Sequence, residues 1–231
     1  MLLPYLLQAA TQDPRPLFVQ SDLIVLAVHF ISVIYIVFRA VKSLEGQVVI
    51  RFKQDELHKQ LVAQELRDFI GIGFALPGKG VCPIEALTVL PIVITNQLAE
   101  NSIFIDWDRS SFTNINSRAQ RVIRLLPSRT LDLLNAQVPS VITPQRTLQE
   151  VVTAESSLSR PSDSNVLDVS GPLLDITTFQ KKANATHEFS LRLSIRVATT
   201  ADPAPSHRRY ILPCEFSLRK LTWQDVVPWS I

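Results

Sequence analysis

The chain has 231 residues, a formal charge of +2 at pH 7, fifteen prolines against six glycines, and two cysteines. So small a net charge excludes a nucleic-acid binder held by bulk electrostatics. Two cysteines exclude a disulfide-dense scaffold, and neither has a His or Cys at zinc-ligand spacing, so no metal centre is expected.

Residues 1–21 form a polar, proline-containing tail. Its opening MLLPYLLQAA has no basic residue and is interrupted by Pro4 and Gln8, unlike a secretory signal. Leu23 to Phe38, LIVLAVHFISVIYIVF, is a sixteen-residue uncharged run closed by Arg39 and Lys42. A core helix needs one apolar stripe, whereas a bilayer core of ~30 Å needs about 20 apolar residues at 1.5 Å each. With Val19, Ala40 and Val41 contributing at the margins, the run predicts one retained transmembrane helix over 22–41 and an integral, single-pass protein. After the span, Arg39, Lys42, Arg51 and Lys53 face Glu45 alone; before it, Arg15 faces Asp13 and Asp22. The side richer in Lys and Arg stays in the cytoplasm, so the large C-terminal domain is expected there.

His29 lies mid-span, where an ionisable group is a functional hypothesis by default. Its imidazole suits a tetrapyrrole metal as a cofactor ligand, or a hydrogen bond to a neighbouring helix. Ala27 and Ser32 beside it permit close helix approach. A histidine with no special role is the bland alternative.

Residues 42–73 predict a helical stalk and an amphipathic helix. Val41, Leu44, Val48 and Phe52 recur every three to four residues, although Val48 to Phe52 also fits the start of a strand. In 54–70, QDELHKQLVAQELRDFI, one side carries Leu57, Leu61, Val62, Leu66, Phe69 and Ile70. Asp55 and Glu56 occupy the first turn, and Gly71 and Gly73 are expected to stop the helix. Leu57, Leu61 and Leu66 either dock a partner or pack on their own domain.

Residues 74–231 change to short apolar runs separated by Pro, Asn and Ser. Strands are expected over 86–95, 102–106, 121–126, 141–150, 173–179, 188–199 and 208–218. The clearest is FSLRLSIRV from Phe189 to Val197, apolar at odd positions and polar at even ones. Seven strands with no convincing helix between them predict an antiparallel β-sandwich, with 155–170 as a surface loop.

Asn101 to Phe112, NSIFIDWDRSSF, is the most distinctive segment. Its acids are wrongly spaced for an EF-type calcium loop, since position 6 is Ser111 and the closing glutamate is missing. Trp107 is expected to anchor packing, and Asp108 and Ser110 to close the turn to the next strand. Together with Leu90 to Asn96, LPIVITN, the segment resembles strands of the immunoglobulin-like sandwich of late-embryogenesis-abundant (LEA14-type) domains and of membrane-anchored bacterial proteins. The resemblance covers residues 85–150. It implies a binding or scaffold domain and carries over no catalytic residue.

Arg118, Arg121, Arg124 and Arg129 form a basic run suited to acidic lipid headgroups or an acidic partner, or else a solvated face. No aromatic residues interleave with it, which argues against nucleic acid. Cys82 and Cys214 read as two buried thiols, or as one bridge if the domain is translocated. His58, His187 and His207 have no catalytic or ligand spacing, and Asn184 to Thr186 is a sequon that a cytoplasmic domain would not use. No GxSxG, HExxH, Walker or GxGxxG motif is present.

These readings point to a non-catalytic accessory subunit or tether of a multi-subunit membrane complex, with energy-transducing and photosynthetic membranes as plausible homes. The expected partners are subunits of that complex and the lipid bilayer. The alternative is an envelope or secretion-type adaptor with a translocated, disulfide-bridged sandwich. A membrane-anchored hydrolase is the weakest reading.

Overall fold

The computed structural model describes residues 20–43, 46–126, 136–160, 167–174, 179, 186–198 and 208–222. The chain divides into two compact units at Glu45–Gly46. In the first, helix α1 (Gln20–Ser43) has 24 residues, enough for ~36 Å at 1.5 Å each. Leu23–Ser43 has mean hydropathy 2.3 and none of it is buried. By length and composition it is able to cross a membrane.

The second unit is mainly β. Strand β1 (Gln47–Phe52) leads into α2 (Gln54–Ala63), followed by β2 (Ile70–Phe74), β3 (Val81–Pro83) and β4 (Leu90–Asn96). The long β5 (Ser102–Thr113) precedes β6 (Ala119–Leu125), β7 (Ser140–Ile142) and β8 (Thr147–Ala154). The short β9 (Leu158–Ser159) and β10 (Asp168–Val169) pair with each other, and β11 (His187–Ala198) and β12 (Arg208–Lys220) are the longest pair.

One ten-stranded sheet runs in the order β2-β4-β8-β6-β5-β11-β12-β1-β3, with β7 added on β5. Strand β6 carries its bend. Residues Ala119 to Arg121 pair with β5, whereas Val122 to Leu125 pair with β8. Val122 and Ile123 are both buried, breaking the alternation where the strand changes partner. The sheet thereby curls, and β2 from one end meets β1 and β12 from the other. Phe74 packs at 4.8 Å between centroids on both Phe52 and Phe216, and Phe216 stacks on Phe189 at 4.7 Å. Such aromatic contacts contribute roughly 0.5–1.5 kcal/mol each beyond area burial.

Three sequence expectations change. Residues 47–52 do not continue a helical stalk: β1 pairs with β12 from Val48↔Lys220 to Phe52↔Phe216. The β-branched run Val48-Val49-Ile50 is buried between two neighbouring strands, and that packing outweighs the weak helical spacing. The amphipathic helix stops at Ala63, not at Gly71. Leu66 N bonds Leu61 O at 2.7 Å and Glu65 N bonds Val62 O at 3.1 Å, a Schellman closure with Glu65 at φ 58°. Gly71 and Gly73 lie inside β2, paired with Thr95 and Val93. The expected strand over 141–150 is two strands, β7 and β8, separated by a turn with Gln145 at φ 54°. The expected strand over 173–179 lies largely outside the described residues.

Candidate functional site

The expected docking residues of α2 and of the turn that closes it are core. Leu57, Leu61 and Leu66 are buried in the hydrophobic cluster of the β unit, so none of them is offered to a partner. A helix whose apolar stripe faces its own sheet presents Asp55, His58, Lys59 and Val62 outward. Beside it lies a cleft of about 330 Å³ with Leu57, Leu61 and Ile70 on its floor and His58, Arg67 and Asp68 at its rim.

The expected basic patch is also largely consumed. Arg121 Nε donates to Asp108 Oδ1 at 3.2 Å, with a second bond from Nη2. Arg124 Nη1 donates to Ser140 Oγ at 2.6 Å and to Glu150 Oε1 at 3.1 Å. Only Arg118 stays exposed, its backbone N–H tied to Asn114 Oδ1 at 3.1 Å. Arg129 lies outside the described residues.

These pairs belong to one polar network across β5, β6, β7 and β8. Gln137 donates its backbone N–H to Asp108 Oδ2 at 2.9 Å and its side-chain amide to Val122 O at 2.7 Å. Its side-chain oxygen accepts Arg124 N at 2.8 Å. Trp107, fully buried, donates Nε1 to Ser140 Oγ at 2.9 Å. Burial pushes the Asp108 carboxyl up, but the bonds from Arg121 and Gln137 outweigh it and hold the group below its ordinary value. A carboxylate so held is a structural acceptor, ill suited to take a proton at neutral pH.

Asp108 and Ser110 do not close the turn to the next strand. That turn is Asn114 to Arg118, where Asn114 Oδ1 accepts the N–H groups of Asn116 and Arg118 and Ser117 has φ 58°. Residues 107–110 instead form a bulge within β5, since Ser111 faces Arg192 and Asp106 faces Ser194 across β11. Ser110 Oγ donates to Asp106 O at 2.7 Å and accepts Ser194 N at 3.1 Å, and Asp106 Oδ1 accepts Arg109 N at 3.2 Å. The acids of the segment thus serve Arg109 and Arg121.

The two cysteines are free and buried, and burial pushes both thiols up, Cys214 far above its usual range. Register forbids the bridge. Cys82 faces Val48, which faces Lys220, six residues along β12 from Cys214. Six residues span ~20 Å, whereas a disulfide needs Cα atoms within about 7 Å. His187 is buried against Phe179 at 5.4 Å between ring centroids, and His58 is exposed. In α1, Ser32 Oγ donates to Val28 O of its own helix at 2.8 Å, and His29 is exposed on the same helix. His207 and Asn184 lie outside the described residues.

Sequence reasoning missed Asn96 and a second set of arginines. Asn96 is fully buried, donating to Asn101 O and Ile142 O at 2.8 and 2.9 Å and accepting Leu98 N at 3.0 Å. It stitches the end of β4 to β7. An Asn ending an apolar strand was the only available signal. Arg192, Arg196 and Arg209 share the outer face of β11 and β12, a convergence that depends on strand register. No protein-family model, curated protein or solved structure matches this chain.

Proposed function

We propose that this chain is a single-pass membrane protein whose β unit, an immunoglobulin-like sandwich, acts by docking as a non-catalytic accessory subunit or tether of a multi-subunit membrane complex. The observation that carries the reading is α1: Leu23–Ser43 is apolar throughout and none of it is buried against protein. Such a surface is stable only against lipid or other apolar helices. The curled sheet supports the sandwich, since Phe74 brings β2 over β1 and β12. The resemblance of residues 85–150 to late-embryogenesis-type sandwiches supports a binding role. Charges that catalysis could use, at Asp108, Arg121, Arg124 and Glu150, are committed to internal pairs. The basic excess after α1 supports a β unit on the cytoplasmic side, and energy-transducing or photosynthetic membranes suit such a subunit.

Purification in a gentle detergent, with identification of co-purifying chains, tests the role. Co-migration with a large membrane complex is the expected result. A solitary monomer with a turnover activity would sink the reading.

A further inference from the structure

The outer face of β11 and β12 carries a basic cluster. Arg196 stands directly opposite Arg209 in register, and Arg192 lies four residues, ~13 Å, along the same face. Like charges directly opposite across strands are destabilising, so the sheet maintains this pair against its own interest. None of the three has a carboxylate partner among the described residues. Asp106, opposite Ser194, is engaged by Arg109. The guanidinium Nε of Arg196 is withdrawn from water with no hydrogen-bond partner. On the same face Lys53 bridges Glu188 at 2.6 Å and Glu215 at 3.4 Å.

Apolar groups frame the cluster. Phe104 faces Arg196 in register, with the guanidinium carbon 5.9 Å from the ring centroid, and Val141 faces Phe104 from β7. Val141 is 49% exposed and Ile211, between Arg209 and Pro213, is 45% exposed. All three cations are arginine, which grips carboxylates through a planar fork and is enriched with aromatics at the centres of protein interfaces. Lipid-docking surfaces use about 4–8 basic residues and accept lysine equally, so this cluster is small for one.

We infer that the Arg192–Arg196–Arg209 face docks an acidic segment of a partner subunit, whose carboxylates neutralise the facing arginine pair while Phe104, Val141 and Ile211 exclude water. This deepens, and rests on, the accessory-subunit reading. The test uses the full chain in detergent micelles, with a fluorescent octaglutamate peptide as probe followed by anisotropy at low salt. Octaglutamate should bind and octalysine should not. Arg196→Glu with Arg209→Glu should weaken binding by about tenfold or more, and Arg51→Glu, far along the same face, should leave it unchanged. Arg196→Gln with Arg209→Gln should give a smaller loss at unaltered thermal unfolding, which separates lost charge from lost folding. Equal binding by wild type and the Glu variant overturns the proposal. Arginine-dependent capture of phosphatidylserine vesicles without peptide binding also overturns it, by making the face a lipid surface. Co-purification of the Glu variant with an intact complex leaves the accessory role standing and removes this face as its docking surface. A wild-type chain that co-purifies with nothing sinks the role, whatever the peptide result.

Discussion

Trp107 and Asp108 are sequence neighbours that point to opposite faces of β5 and hold the fold by different means. The indole is fully buried and spends its one donor on Ser140 Oγ. Trp107→Ala leaves a large cavity and an altered Ser140 network, so it should cost ~3–5 kcal/mol by chemical denaturation. A cost near zero would place the ring outside the core. Asp108 binds by charge. Its folded-state pKa lies below the unfolded value, near about 3.9, because Arg121 and Gln137 outweigh burial. The paired carboxylate therefore contributes stability that is full above that pH and fades as pH falls toward the folded value. Asp108→Asn should be less stable than wild type at pH 7, with the two stabilities converging below about pH 4. A gap that persists in acid would show that hydrogen-bond geometry, not charge, is what Asp108 supplies. Asn96 is the third case. Removing its side chain strands two carbonyls and one N–H between β4 and β7, so Asn96→Ala should cost ~2–4 kcal/mol, read by the same unfolding measurement.

At the scale of elements, the end of α2 shows a local conflict settled by tertiary burial. Glu65 holds φ 58° in the position where helices favour glycine. Leu66 beyond it is fully buried, so the closure is retained at the expense of backbone strain. Glu65→Gly should raise stability by ~0.5–1 kcal/mol, and a loss would show that the Glu65 side chain contributes more than its backbone costs. The same region shows what was legible in the sequence. Strand β11 was readable because one face is wet and the other dry, so Phe189 to Val197 alternates. Strand β1 was obscured because Val48, Val49 and Ile50 are all buried, and a run apolar on both faces carries no period. Leu57, Leu61 and Leu66 were correctly seen as one apolar side, but their partner, β12 among others, lies 150 residues away in sequence. The arginines of β11 and β12 were invisible as a group, because register alone sets Arg196 opposite Arg209. The boundary expected at residue 74 also falls inside the sheet, since β1 and β2 both pair within it. A fragment of residues 46–231 should therefore fold cooperatively, whereas 74–231, lacking β1, α2 and β2, should not. Equal thermal transitions for both fragments would refute that assignment.

For the whole molecule the decisive physical contrast is between two surfaces. The described side chains of α1 from Leu23 onward are exposed and predominantly apolar, whereas the β unit buries its apolar residues and wears charges outside. No single aqueous environment suits both, and a helix of that length matches the thickness of a bilayer. The chain should remain in the membrane pellet through alkaline carbonate extraction with α1 still joined to the β unit, since a cleaved leader would remove α1. Release into the supernatant at reduced mass would make α1 a signal sequence. Orientation is a separate question, on which the charge at the ends of α1 bears. Lys42 and Arg39 follow the apolar run, and translocating them costs more than translocating the nearly neutral N-terminal flank. Protease added to inverted cytoplasmic-membrane vesicles should accordingly digest the β unit and leave α1 protected, while right-side-out vesicles should shield it. The opposite pattern would place the β unit across the membrane, and the complex it serves would then have to be sought on that side.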